Sequence, residues 1–414
     1  MPIDVVVGAG LAGLAAANHL QRHGVDVVVC EAGDEVGGRV RTDRVEGFQL
    51  DRGFQVLLPA YPELRRQVDP QQLRLRPFTS GVIAMGVDRR RWLTGPRHGR
   101  VALAGALDLL RHRPVDVAAL ATLALRDGLG PVSLARRRTT RSVAEELQHW
   151  RLSTRTVDEV LRPFLAGVFL DPLLSTDARV FHLIWRCFLR GGGAVPAEGM
   201  SALPLQLAGN LADATIRTAA EACAIDGTRV RLLGGETISA RAVVVATDGS
   251  TAARLLPEVD PPSWHAVTTF YYAAPRSPLR STTLLVDGHS DLLLNTVDLS
   301  IVAEQYAPPG QSLIAASVPG RADDALEPAV RHRLAQLYGT DTAGWRLLAS
   351  YPITRALPVM RPGHRLCRAV RLGSGRYVCG DHRDTSSIQG ALVSGRRAAT
   401  AVLTDLGVHA RRRG

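Results

Sequence analysis

The stretch that decides the fold is DVVVGAGLAGLAAANHL, residues 4–20. An apolar run over 5–7 breaks into Gly8-Ala9-Gly10-Leu11-Ala12-Gly13, and an alanine-rich segment of helical character follows. The order reads strand, glycine turn, helix. In such a turn the first glycine allows the tight bend and the second lets the backbone approach a pyrophosphate. The third lets helix and strand pack closely. The start of the helix, at Leu11 and Ala12, presents free N–H groups and the positive end of its dipole to an anion. Gly24 is placed to end that helix. A second strand over 26–30 leads to Glu31, 18 residues after Gly13. A carboxylate at that point can accept both hydroxyls of an adenosine ribose. The unit predicts a dinucleotide site and leaves NAD and FAD both open.

The next stretch is Gly37-Gly38-Arg39-Val40-Arg41-Thr42. Two glycines let the backbone pass close to a ligand, and the planar cation of Arg39 suits a phosphate. Arg39 lies just beyond Glu31, so it can fold back over the pyrophosphate.

Taken together, the glycine turn, the glutamate and the GGRxRT element resemble the flavin amine oxidase superfamily, which includes phytoene desaturase-like and protoporphyrinogen oxidase-like enzymes. Gly380-Asp381, with Ser387-Ile388-Gln389-Gly390-Ala391-Leu392-Val393-Ser394-Gly395, looks like that group's C-terminal flavin motif. There the aspartate binds the ribitol chain, and N–H groups at the helix start, here Ser387, Ile388 and Ala391, face the flavin, as suits a reduced flavin's charge. The run Ile238 to Thr247, with Ala246 near its end, resembles the middle strand of the nucleotide domain. Glu221-Ala222-Cys223 falls where the family's backbone contacts adenine. Asp51-Arg52-Gly53 matches a D-x-G element, with Phe54-Gln55-Val56 after it able to line the flavin. Arg162-Pro163-Phe164, Gly167-Val168-Phe169 and Pro196-Ala197-Glu198-Gly199-Met200 resemble segments around the return from substrate domain to flavin domain. The cofactor-binding set implied is Gly8, Gly10, Leu11, Ala12, Gly13, Glu31, Ala32, Gly38, Arg39, Gly53, Phe54, Ala222, Ala246, Gly380, Asp381, Ser387, Ile388 and Ala391. The fold implied is α/β: a Rossmann-like (GR2-type) FAD-binding domain made of 1–75, 195–257 and 350–410. It is interleaved with an α+β substrate domain of 76–194 and 258–349, part helical and part antiparallel sheet.

Composition narrows the chemistry. The chain has 414 residues, 46% apolar and 21% charged, an ordinary globular balance. All 50 basic residues are arginine. The missing lysine excludes a lysine Schiff base, a P-loop and the lysine-held water at flavin N5 that many amine oxidases of this superfamily use. The net charge is +11, with clusters at Arg89-Arg90-Arg91, Arg136-Arg137-Arg138 and Arg411-Arg412-Arg413. No aromatic–basic interleaving suggests a nucleic-acid groove. The five cysteines, Cys30, Cys187, Cys223, Cys367 and Cys379, are odd in number and form no CxxC pair. That argues for reduced thiols and a cytoplasmic setting. The first strand begins too early for a signal peptide to precede it, and no apolar run reaches the length of a membrane span.

Apolar spacings of three and four predict helices within 101–190, notably VALAGALDLL, DVAALATLAL and SVAEELQHW. Residues 216–246 turn β-like. WHAVTTFYYAA, TTLLV, DLLLNTVD and SLIAASV read as strands of a second sheet, followed by a helix over 322–338. A strand over 376–379 and a helix over SSIQGALVSGRRAATAVL close the chain. The region 101–127, studded with Arg111, His112 and Arg113, reads either as a helical cap of the substrate domain or as a surface that touches a membrane peripherally to collect a lipid-like substrate.

The resemblance implies a non-covalent FAD enzyme that removes hydride from a C–H bond of an apolar or polycyclic small molecule to flavin N5. Oxygen, a quinone or another electron acceptor reoxidises the flavin. A redox-neutral isomerase or mutase on the same fold, or an amine oxidase lacking the usual lysine, are the alternatives. Some relatives attach flavin through a cysteine before the Gly-Asp motif, but the surroundings of Cys367 do not match. Catalytic groups are not defined by the sequence. His382, beside the Gly-Asp pair, and Tyr351 and Tyr271 are weak candidates. The alternation in Phe270-Tyr271-Tyr272 equally suits core packing, and a strand histidine such as His265 is usually structural. No metal site is indicated.

Overall fold

The computed structural model describes residues 3–85, 90–94, 113–137, 139–213 and 215–408. The segment VALAGALDLL, with Arg111, His112, Arg138 and the arginines at 411–413, lies outside the described residues.

The valine runs form the first sheet. Asp4–Val7 runs parallel to Val27–Cys30 on one side and to Val243–Val245 on the other. Ile216–Arg217 extends the sheet beyond Val27–Cys30 in parallel. Arg376–Val378 extends it beyond Val243–Val245, also in parallel, and Arg371–Gly373 closes that edge antiparallel. The runs are continuous rather than alternating because both faces are covered. Val6, Val29 and Val244 face helices Leu11–Arg22 and Ile388–Asp405; Val5, Val7 and Val245 face helix Gly249–Leu255 and the three-stranded sheet Ala222–Asp226, Arg229–Leu232, Thr237–Ser239. The two covering helices lie so close that a Cβ on Gly395 would sit 2.1 Å from the Ala12 carbonyl oxygen.

The second sheet has seven strands in the order Arg346–Pro358, Trp264–Ala274, Ser312–Pro319, Asn295–Asp298, Leu284–Asp287, Gly81–Met85 and Arg90–Thr94. All neighbours are antiparallel except Leu284–Asp287 with Gly81–Met85. Phe270 and Tyr272 pack on Val330, Leu334 and Trp345, within and after helix Glu327–Tyr338, while Tyr271 points the other way onto Phe48, Leu50 and Tyr306. Residues 350–358, within the segment 350–410 expected in the FAD-binding domain, pair with Trp264–Ala274 in the second sheet, from Ser350 opposite Phe270 to Pro358 opposite Trp264. A strand that is long and only half-buried carries no local mark of which sheet it joins.

Helices Pro114–Leu129, Val143–His149, Arg162–Phe169 and Ala178–Gly191 form a helical layer, of which Arg162–Phe169 packs on Leu284–Asp287 and Asn295–Asp298 of the second sheet. No helix among the described residues is long and apolar enough to cross a membrane.

Candidate functional site

The glycine turn leaves the first sheet at the carboxyl ends of its parallel strands, where doubly wound folds bind ligands. Gly8 has φ +106°, and a Cβ there would meet the Ala246 carbonyl oxygen at 3.1 Å. A Cβ on Gly13 would fall 1.9 Å from the Gly8 carbonyl oxygen, so only glycine lets this helix start so close to the strand. Gly10 differs: a Cβ there meets nothing within 4 Å. Gly10 is the N-cap of helix Leu11–Arg22, and no side chain caps that terminus. Its first N–H groups therefore stay available to a ligand.

Glu31 stands beside the turn. Its Oε2 accepts from the Ala9 N–H at 2.6 Å and its Oε1 from the Gly33 N–H at 2.9 Å. A carboxylate has about four lone-pair sites, so capacity for two hydroxyl donors remains. The next loop folds back across the turn: Gly37 N–H donates to the Ala9 carbonyl at 2.9 Å, and a Cβ on Gly38 would lie 3.5 Å from the Gly10 Cα. Ala32 lies exposed beyond Glu31, and Ala220 N–H donates to the Glu31 carbonyl just before buried Ala222.

Arg39 carries that loop to the C-terminal motif. Its Nη2 binds Asp381 Oδ1 at 2.7 Å, its Nη1 donates to the Ala356 carbonyl at 2.7 Å, and its Cζ sits 5.4 Å above the Trp264 ring. Sequence gave Arg39 and Asp381 separate tasks, phosphate and ribitol; here they form one ion pair. Gly380, φ +142°, is tied to the last helix by its N–H, which donates to Ser394 Oγ at 2.9 Å. Ser387 caps that helix by accepting from the Gly390 N–H at 3.1 Å, with Ile388 and Ala391 half-buried in its first turn. His382 is buried, its two ring nitrogens make no hydrogen bond, and burial lowers its pKa to about 4. Both the imidazole and the open helix start are polar groups aimed at nothing in the protein, which fits a bound polar cofactor.

Gly53 and Phe54 reach toward the second sheet. A Cβ on Gly53, φ +87°, would touch the Ile353 side chain at 3.4 Å, and Phe54 N–H donates to Thr269 Oγ1 at 3.1 Å. Just before them lies a hub that sequence read only as part of a D-x-G element. Asp51, 1% exposed, accepts from Thr42 Oγ1 at 2.6 Å, Met200 N–H at 2.9 Å and the Tyr306 hydroxyl at 2.9 Å. Burial outweighs these donors and pushes its pKa up to about 6. Trp264, too, carried no signal in the sequence.

The tyrosine candidates are committed elsewhere. Tyr271 is fully buried and gives its hydroxyl to the Asp51 carbonyl at 2.8 Å; Tyr351 gives its own to Asp43 Oδ2 at 2.9 Å. Burial raises both phenol pKa values, further raised by the carboxylates nearby. Phe270, Tyr271 and Tyr272 are all fully buried. His265 is half-buried, with its pKa lowered by burial. All five cysteines are free. The Cys367 thiol donates to Asp384 Oδ2 at 3.3 Å, and burial followed by that carboxylate raises its pKa.

The chain has relatives among known proteins. Hydroxysqualene dehydroxylase of Rhodopseudomonas palustris is 26% identical over 435 aligned positions, covering 96% of this chain and 97% of that protein. A zeta-carotene-forming phytoene desaturase of Myxococcus xanthus is 30% identical over 282, covering 59% of this chain and 53% of the other. A possible lysine-specific histone demethylase 1 of Drosophila melanogaster is 47% identical over 57, which is 14% of this chain and 6% of that protein. The crystal structure of a putative protoporphyrinogen oxidase from Exiguobacterium sp. superposes with a TM-score of 0.69 at 19% identity, over 98% of this chain and 99% of the other, a likeness of fold. The family described as flavin containing amine oxidoreductase matches residues 11–403, and the chain belongs to that family of flavin-containing oxidoreductases.

Proposed function

We propose that the protein binds FAD non-covalently and removes a hydride from a C–H bond of an apolar small molecule of the polyisoprenoid class. The observation that carries the cofactor reading is the convergence of three separated pieces of chain, Gly8–Gly13, Gly37–Arg39 and Gly380–Asp381, at one end of the parallel strands. The Leu11 helix start and Gly10 suit the diphosphate, Glu31 the adenosine ribose, and Arg39 with Asp381 the stretch between diphosphate and ring system. A bound flavin supplies the hydride acceptor. Desaturation also sheds a proton; His382, neutral beside the Gly-Asp pair, is the proposed acceptor, and its pKa of about 4 makes it a weak one. A thiol kept protonated is a poor nucleophile, which argues against covalent attachment of the flavin through Cys367.

The substrate class rests on the end-to-end relatedness to a protein named for hydroxysqualene and on the partial relatedness to one named for phytoene. The absence of lysine argues against typical amine oxidation. The test is anaerobic mixing of the flavin-loaded protein with a hydroxylated or unsaturated polyisoprenoid, a porphyrinogen and a polyamine while the oxidised flavin band is followed. Bleaching by the polyisoprenoid is expected. Bleaching by the polyamine alone, or by none of the three, refutes the substrate class. Acid precipitation that leaves flavin on the protein refutes non-covalent binding.

A further inference from the structure

Six of the ten large apolar side chains that stand exposed among the described residues belong to one corner of the helical layer: Val115, Leu125, Leu129, Val132, Leu134 and Leu189, between 37% and 79% exposed. Helix Pro114–Leu129 shows solvent a face of Val115, Ala118, Thr122, Leu125 and Leu129, the three-and-four spacing of a single stripe. The next helix, Val132–Ala135, continues it. The corner is one surface: a Cβ on Gly130 would lie 3.2 Å from Leu134, and one on Gly128 would lie 3.7 Å from Leu189.

The charges of residues 114–137 that reach solvent have one sign. The acids of residues 114–137 are Asp116 and Asp127, and both turn inward, 4% and 1% exposed. Asp116 accepts from Ser153 and Thr156, and Asp127 is held by Arg126 and His182. Arg136, Arg137 and Arg190 remain exposed at the end of the stripe that carries Leu129, Leu134 and Leu189. An apolar helix face bordered by arginine and with no surface carboxylate of its own matches the interface of an anionic bilayer, where acyl chains take the leucines and headgroups the guanidinium groups. We infer that this corner is a peripheral docking surface for anionic lipid membranes. The inference stands on the surface itself and is independent of which substrate the flavin site takes.

The experiment is co-sedimentation of the full-length protein with phosphatidylcholine vesicles, with and without phosphatidylglycerol, at low salt. The wild-type protein pellets with the anionic vesicles and is released by high salt. Leu125→Gln/Leu129→Gln lowers vesicle binding at least tenfold with an unchanged circular dichroism spectrum and melting temperature, since both side chains already face solvent. Arg136→Gln/Arg137→Gln removes the preference for phosphatidylglycerol. Equal binding by wild type and the leucine variant overturns the proposal. So does light scattering that shows a dimer which the leucine variant dissolves, because the face is then an interface between copies of this chain.

Discussion

Two glycines of the same turn separate what the fold needs from what a ligand needs. At Gly10 the backbone, φ −72° and ψ 176°, is open to any L-residue, and a Cβ meets no atom within 4 Å. Replacing it by alanine restricts the unfolded chain, a gain of about 0.4–1 kcal/mol, and exchanges a fair N-cap for a poor one, a loss of about the same size. Stability without flavin therefore changes by less than about 0.5 kcal/mol. A methyl in the path of a diphosphate is another matter: overpacking costs about 1–3 kcal/mol, which is about fivefold to a hundredfold in Kd. At Gly13 the added Cβ lands 1.9 Å from the Gly8 carbonyl oxygen. Backbone has to move, and the loss of stability is about 3 kcal/mol or more. The assay is urea unfolding of flavin-stripped Gly10→Ala and Gly13→Ala, followed by titration with FAD against flavin fluorescence. A Gly10→Ala variant that binds FAD with the wild-type Kd refutes the placement of the diphosphate. One that loses as much stability as Gly13→Ala refutes the claim that this glycine serves a ligand.

Further outcomes follow from the buried charges. His182, 3% exposed, lies between Asp127 Oδ2 at 2.7 Å and Glu146 Oε1 at 3.2 Å. Burial lowers its pKa, the two carboxylates raise it more, and the net shift is upward. Its contribution is full below the unfolded value of 6.5 and fades as pH rises through the folded one. His182→Gln costs about 3 kcal/mol at pH 6 and flattens the decline of melting temperature toward pH 9. Asp51 also titrates upward, from 3.8 to about 6. The protein loses about 3 kcal/mol as pH rises through that window, and urea unfolding of Asp51→Asn at pH 4.5 and 7 lacks this slope. Arg39→Met strands the buried Asp381 carboxylate and costs about 3 kcal/mol, and adding Asp381→Asn restores most of it, since an amide needs no cation. With the pKa of His382 lowered to about 4, substrate reduction of the flavin is independent of pH above about 5 as far as this group is concerned, and stopped-flow rates that climb through neutrality assign the proton to another residue.

The parts legible in the sequence are those written locally. Valines buried on both faces of a parallel sheet leave an unbroken run, and a glycine with no room for a Cβ leaves its own letter, so Val5–Val7, Gly8 and Gly13 announced the first sheet and its turn. The pairing of Arg39 with Asp381 spans 342 positions, and no periodicity encodes a partner at that distance. The same holds for Asp51, whose donors come from Thr42, Met200 and Tyr306, and for residues 350–358, whose sheet is chosen by the register with Trp264–Ala274.

Those long-range contacts also engage the polar tips that looked catalytic. Tyr271 and Tyr351 reach from the second sheet to Asp51 and Asp43 on the hairpin Thr42–Val45 and Phe48–Asp51. That hairpin follows the loop that crosses the glycine turn. A phenol spent in this way ties the second sheet to that hairpin, and its raised pKa makes it a poor proton donor or acceptor at neutral pH. What remains around the turn is an open helix start, a glutamate with spare lone pairs, an arginine–aspartate pair and a neutral imidazole. That inventory can hold and orient a dinucleotide and receive one proton, but it offers no nucleophile and no ammonium to activate water. The protein's own groups thus leave the redox step to the cofactor.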